Sequence, residues 1–339
     1  MAHITFIYNS GDIMFTILFQ AFAIIMPARQ RVLRGFLRDS LRGSLREGFG
    51  ALFLVFFLGL APVHAQEEAV NAHPALWKVE KAEGSLYLFG SFHILPAHVK
   101  WYGGALKTAF EASDTLVLET VMTPDAMAQV QGIFAKRSFL PEGKSLHTLL
   151  DIEHFALATE IGKGFGLSEE QVNRMQPWAL SLNFAIMSMM KHGYDVNAGV
   201  DQLLQGKAGN MGKKLLGLES PVDGLNALTN HPLPLQATML ADTLEKLADF
   251  DTYTKKFLNA WTSGDTNALN EVMVKDMEKY VEVYEALLVK RNRAWLPAIE
   301  EMTAQGNNTF ITVGAAHLVG PDGVVKMLRD KGYKVEKVQ

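Results

Sequence analysis

The chain has 339 residues, 48% apolar and 20% charged, which excludes a mainly disordered protein and leaves one large domain or two ordinary ones. Its formal charge of −4, from 32 basic and 36 acidic residues, carries no basic surplus for a nucleic-acid backbone. With no cysteine, disulfides, thiolate metal sites and cysteine nucleophiles are excluded, and any metal must be held by nitrogen and oxygen.

Residues 1–65 differ from the rest. An uncharged, mostly apolar run from Met14 to Met26 is followed by Arg29, Arg31, Arg34, Arg38, Arg42 and Arg46, then by a second apolar run, Phe49 to Val63. Val63-His64-Ala65 is a small-x-small exit, followed at once by Gln66-Glu67-Glu68. A basic segment, an apolar stretch of about 15 residues and a small-residue exit predict a secretory signal cut after Ala65. A signal needs only one apolar run, so translation is expected to start at Met26, with residues 1–25 an upstream extension. Cleavage leaves a working domain, 66–339, with 26 basic and 33 acidic residues, a charge of −7. The expected location is the periplasm or outside the cell, with no stable membrane span; an uncut signal would instead anchor the chain in the inner membrane.

Strands begin near Leu76. Trp77-Lys78-Val79-Glu80-Lys81 alternates apolar and polar, Ala82-Glu83-Gly84 makes a turn, and Ser85–Gly90 is the partner strand of a hairpin. A short helix over about 104–112 leads to a buried-looking strand, Thr115–Glu119. Helical periods follow over about 124–305, with breaks at Pro141, Gly162–Gly166, Pro177 and Gly193 and one strand near 214–219. Thr309–Gly314 is a further strand, then a helix near 321–331 and a last strand, Tyr333–Val338. Strands at both ends and helices between predict an α/β (α+β) domain whose central mixed sheet is built from both ends of the chain, with a large helical insertion.

One short echo carries chemistry. Gly90-Ser91-Phe92-His93 and Gly314-Ala315-Ala316-His317 are both Gly-x-x-His directly after an apolar strand. In α/β sheets the carboxyl ends of strands line the ligand crevice, so the two histidines can converge. The glycines are expected to let the backbone turn sharply there. Glu119 and Glu219 close two more strands, where a carboxylate needs a partner. Two imidazoles with carboxylates suit a divalent ion such as Mn²⁺, Co²⁺ or Zn²⁺; a metal-free site with histidine as general base and Glu119 orienting it suits the same residues. His98, His147, His154 and His192 lack paired spacing and are read as surface or packing residues. Gly162–Gly166 is read as a helix stop rather than a phosphate loop, and Met187–Met190 as helix packing.

The pattern resembles the TraB/GumN family, which includes the Tiki metalloproteases. The likeness runs from Pro74-Ala75-Leu76-Trp77-Lys78-Val79 to the C-terminus. It rests on Tyr87-Leu88-Phe89-Gly90-Ser91-Phe92-His93, Gly199-Val200-Asp201, Gly217-Leu218-Glu219, Trp261-Thr262-Ser263-Gly264-Asp265, Arg291-Asn292-Arg293-Ala294-Trp295 and Gly314-Ala315-Ala316-His317-Leu318-Val319-Gly320. Ser91 stands for the family's usual threonine, and a glutamine usual near Gly224 is absent. The resemblance implies a fold like that of erythromycin esterase and the haem-binding ChaN proteins. For Tiki-like members it implies metal-dependent peptide hydrolysis. By position, His93 and His317 become metal ligands, Glu119 a ligand or general base, and Asp201 and Glu219 second-choice ligands. Arg291 and Arg293 would hold a substrate carboxylate or an oxyanion, or would pair with Glu119, Asp201 or Glu219 to fasten the insertion to the sheet. The alternative function is a non-catalytic cofactor- or ligand-binding envelope protein associated with polysaccharide production.

Overall fold

In the computed structural model, which describes residues 69–339, six strands form one mixed sheet. They are β1 (Leu76–Val79), β2 (Leu86–Ser91), β3 (Thr115–Leu118), β4 (Lys214–Gly217), β5 (Thr309–Gly314) and β6 (Val335–Lys337). Their spatial order is β6-β1-β2-β5-β3-β4. The predicted start at Met26 and the cleavage site after Ala65 lie outside the described residues. No helix of the described residues is long and apolar enough to cross a membrane.

The sheet follows from the apolar pattern. β5 and β3 are buried at every position and β2 at all but Tyr87, as near-continuous apolar strands covered on both faces should be. β1 is buried except at Lys78 and joins β2 in the predicted antiparallel hairpin; Gly84 takes φ +73° in the turn. β6 adds to the other side of β1, also antiparallel. The remaining pairs, β2 with β5, β5 with β3 and β3 with β4, are all parallel.

The crossovers between parallel strands are helical. α1 (Gly104–Glu111) links β2 to β3. α2 (Pro124–Arg137), α3 (Ile152–Gly164), α4 (Pro177–Lys191) and α5 (Val200–Asn210) lie between β3 and β4. α6 (Pro221–Thr229), α7 (Leu233–Ala248), α8 (Phe250–Thr262) and α9 (Lys290–Ala304) precede β5, and α10 (Val324–Asp330) precedes β6. The breaks fall where the chain chemistry demands. Proline occupies the first helical position of α2, α4 and α6, where its missing N–H costs nothing. Gly166, at φ +82°, follows the end of α3. Leu180 and Phe184 of α4 pack with Leu240 and Leu244 of α7 in an apolar cluster separate from the main core. The insertion therefore has a core of its own.

The topology puts the four motif residues on one edge. Because β2, β5, β3 and β4 run the same way, their carboxyl ends open together. His93, His317, Glu119 and Glu219 follow those four ends within three residues.

Candidate active site

His93 is built by a loop docked on a helix start. The amide of Val200, first in α5, donates to the carbonyl of Phe92 at 2.9 Å. Gly199 is required there, because a Cβ would run into the His93 carbonyl oxygen. Asp201, in the first turn of α5, then lies 2.5 Å from His93 Nδ1 through Oδ2. That carboxylate takes the Nδ1–H and leaves Nε2 as the free ring nitrogen. Nε2 is buried and has no hydrogen-bond partner among the described residues. Burial opposes a charge on this ring, but the charge and hydrogen bond of Asp201 outweigh it and raise the His93 pKa.

His317 is set by the opposite logic. Its side chain is fully buried, Nδ1 lies 2.6 Å from Asn292 Oδ1, and Nε2 accepts from Arg291 Nη1 at 3.0 Å. Asn292 donates its amide to the Asp322 carbonyl at 2.7 Å, so its oxygen is the atom turned to the imidazole. Burial, with Arg291 and His93 nearby, pushes the His317 pKa down to about 3 against the pull of Glu119, and the ring stays neutral. The two Gly-x-x-His segments leave adjacent strands side by side, Gly90 opposite Val313 and Ser91 opposite Gly314. The glycines do not supply the sharp turn expected of them: Gly314 has φ −50°, and Gly90 continues β2. Gly90 is needed for close approach instead, since a Cβ would lie 3.0 Å from Ala315 Cα. The Gly314 amide donates to Glu119 Oε1 at 2.6 Å.

Arg291 ties the acids together. Nη2 donates to Glu119 Oε2 at 2.6 Å and to Glu219 Oε1 at 2.7 Å, and Nε donates to both Glu219 oxygens at 3.0–3.1 Å. Trp295, one helical turn on, stacks against the guanidinium at 4.8 Å and donates its indole N–H to Glu219 Oε2 at 3.0 Å. Burial would raise both carboxyls. Arg291, with the two histidines and the Gly314 amide, brings Glu119 down to about 2, whereas for Glu219 burial prevails and the pKa is raised. A cavity of about 370 Å³ opens against Glu219, Arg291 and Trp295, with Asp223 and Lys290 at its wall.

The structure thus brings His93, His317, Glu119, Glu219, Asp201 and Arg291 together, and leaves Arg293 out. Two residues along a helix is about 200° of rotation, so Arg293 cannot share the face of Arg291. It is exposed and its nearest acid is Asp322, at 3.6 Å. Asp201 stands behind His93, on Nδ1, rather than beside it as a fellow ligand. Of the two roles open to Arg291, it makes the pairing one, to Glu119 and Glu219. Asn292 and Trp295 belong to the site although only the family pattern around Arg291 pointed to them. Trp261 supports it from below, donating Nε1–H to the Gly90 carbonyl at 2.8 Å. His147, His154 and His192 bond or stack with Asn173, Asp151, Glu245 and Phe250, away from the cluster.

By donor chemistry the cluster suits a divalent ion. Each imidazole has Nδ1 tied to a side-chain oxygen, the support usual for a ligating histidine, which leaves Nε2 to bind. His317 Nε2 lies 3.7 Å from Glu119 Oε1. In this arrangement, however, Arg291 holds both His317 and Glu119. Among the described residues no group of three or more histidine, aspartate or glutamate side chains is set to hold an ion.

Comparison with known proteins agrees with the residue pattern. The chain is 21% identical over 273 residues to an uncharacterized protein of Treponema pallidum (strain Nichols), covering 75% of this chain and 80% of that one. It is 25% identical over 319 residues to a metalloprotease TIKI homolog of Amphimedon queenslandica, covering 78% of this chain and 61% of that one. The chain therefore spans about three fifths of the length of this second relative. No solved structure matches the chain. The model of the TraB/PrgY/gumN family matches residues 75–337, and the protein belongs to that family.

Proposed function

We propose that the chain is an exported, metal-dependent hydrolase of peptide bonds, acting at the cluster on the carboxyl edge of the sheet. The observation that carries this reading is His93 Nε2, a buried nitrogen aligned by Asp201 on its other side and bonded to nothing among the described residues. The distant likeness to a metalloprotease TIKI homolog supports it. So does the signal-like pattern of residues 1–65.

His93, His317 and Glu119 would hold the divalent ion, with Mn²⁺, Co²⁺ and Zn²⁺ the candidates by ligand type. When bound, such an ion supplies Lewis acidity and lowers the pKa of water. The chain's own residues do the rest. Asp201 and Asn292 keep both imidazoles in the Nδ1–H form. Glu119 stays ionised through the neutral range. Glu219, its pKa raised by burial, faces the cavity with both oxygens held by Arg291 and Trp295, and keeps the guanidinium in place beside the cluster. Arg291 balances the charges of Glu119 and Glu219 and holds the two carboxylates in place. The near-complete burial of these groups keeps water from competing for their bonds.

Peptide-pool digestion by the purified chain with added Mn²⁺, Co²⁺ or Zn²⁺ tests this. Glu119→Gln and His93→Ala are each expected to lower the cleavage rate by about 10²-fold or more. Undiminished cleavage by either variant would overturn the assignment. Ligand binding without catalysis is the second reading, favoured by the hold of Arg291 on His317; a haem-type absorption band with no cleavage would support it.

A further inference from the structure

Arg291 stands where an incoming cation would have to stand. Its Nη1 donates to His317 Nε2 at 3.0 Å and its Nη2 to Glu119 Oε2 at 2.6 Å, so one guanidinium takes up two of the three candidate ligands. Two like charges a hydrogen-bond length apart in a buried site repel strongly. The one lone pair of His317 Nε2 cannot serve both a guanidinium N–H and a divalent ion, and the guanidinium on Glu119 Oε2 weakens that carboxylate as a ligand.

The side chain also has somewhere to stay. Nε donates to both oxygens of Glu219, the guanidinium lies over the Trp295 ring, and Trp295 holds Glu219 from behind. Nη1 donates as well to the Leu287 carbonyl at 3.0 Å. Leu287 belongs to a single π-helical turn, Glu285–Val289, directly before α9. Such turns shift backbone bonding from the α-helical spacing and are frequent at functional sites. Arg291 thus keeps a carbonyl acceptor on its own helical segment.

We propose that Arg291 is a displaceable internal cation: it competes with a divalent metal ion for His317 and Glu119, and metal binding requires Nη1 and Nη2 to release those two groups while Nε remains on Glu219. This rests on the metal-dependent reading above. It makes Arg291 a positioning residue that sets metal affinity. Without a cation on Glu119 and Glu219 the buried carboxylates would repel each other, which explains why the place is filled by an arginine and not by an apolar residue.

Equilibrium dialysis with Mn²⁺ tests the competition. Removing Arg291 alone strands two buried carboxylates, so the comparison is between Glu219→Gln and the double variant Arg291→Met/Glu219→Gln, which removes one charge of each sign. The double variant is expected to bind Mn²⁺ about tenfold more tightly or better than Glu219→Gln, the scale of one charge-assisted hydrogen bond no longer broken on binding. Equal or weaker binding by the double variant, with Mn²⁺ bound by the wild-type chain, overturns the proposal and leaves the metal reading standing. No Mn²⁺ binding by any of the three overturns both. Should the double variant fail to fold, a Zn²⁺ titration of the wild-type chain decides by nuclear magnetic resonance. The Arg291 side-chain N–H signals are expected to move as Zn²⁺ binds, and unmoved signals would overturn the proposal.

Discussion

Asp201→Asn separates the charge of Asp201 from its shape. Asparagine is nearly isosteric and its oxygen still accepts from His93 Nδ1–H, so packing around a ring only 4% exposed is kept. What is lost is the carboxylate that raises the His93 pKa against burial. A group whose folded pKa is raised contributes stability that is fully present below its unfolded value, here 6.5, and is lost as pH rises through the folded value. At about pH 5.5 the wild-type pair is imidazolium against carboxylate, and its loss is expected to cost about 2–3 kcal/mol, the upper end for bonds to charged groups. At alkaline pH, once the ring has lost its proton, the exchange of acceptors is expected to cost about 1 kcal/mol. Urea denaturation of both chains at the two pH values, at matched ionic strength, measures the difference. An Asp201→Asn penalty that is the same at both pH values would show that the Asp201 charge does not act on His93.

Further outcomes follow from the same geometry. His317 and Glu119 have depressed folded pKa values, about 3 and about 2, so their contribution is present above the unfolded values of 6.5 and 4.5 and is lost as pH falls. In the Glu219→Gln variant, which removes the opposing titration of that raised carboxyl, stability should decline by about 1.4 kcal/mol per pH unit below about pH 6, more steeply below about pH 4.5, and a flat profile by denaturant titration would contradict this. Gly199→Ala would force the His93 loop off α5, and a loss of about 1–3 kcal/mol is expected, with a crystal structure showing His93 moved from Asp201. Trp261→Phe leaves the buried Gly90 carbonyl without its donor, for an expected loss of about 1–3 kcal/mol by thermal unfolding; a stability equal to wild type would remove Trp261 from the support of the site.

Much of this site is legible in the chain because its carriers are local. The apolar runs that become β2, β3, β4 and β5 end at His93, Glu119, Glu219 and His317, and parallel pairing alone brings such ends to one edge. The extent of the helical insertion is marked by proline and glycine chemistry acting within a few residues. What the sequence does not display is phase and direction. Arg291 and Arg293 are indistinguishable until the helix turns one toward Glu219 and the other toward Asp322. Asp201 has the chemistry of a ligand, and only the docking of α5 under the Phe92 carbonyl turns it to the far side of His93. Asn292 and Trp295 acquire roles through partners 25 and 76 residues away, a pairing that no spacing rule encodes. Gly90 is hidden for the same reason: its constraint comes from Ala315 on the neighbouring chain segment, and not from its own dihedral angles.

A crystal of the wild-type chain soaked in Zn²⁺ or Mn²⁺, with anomalous difference density collected at the metal edge, shows whether the cluster on the carboxyl edge of the sheet holds a metal. One peak is expected, bonded to Nε2 of His93, Nε2 of His317 and a Glu119 oxygen, with Asp201 still on His93 Nδ1. An ion bound elsewhere, or His93 Nε2 left without it, would contradict a metal centre at this cluster.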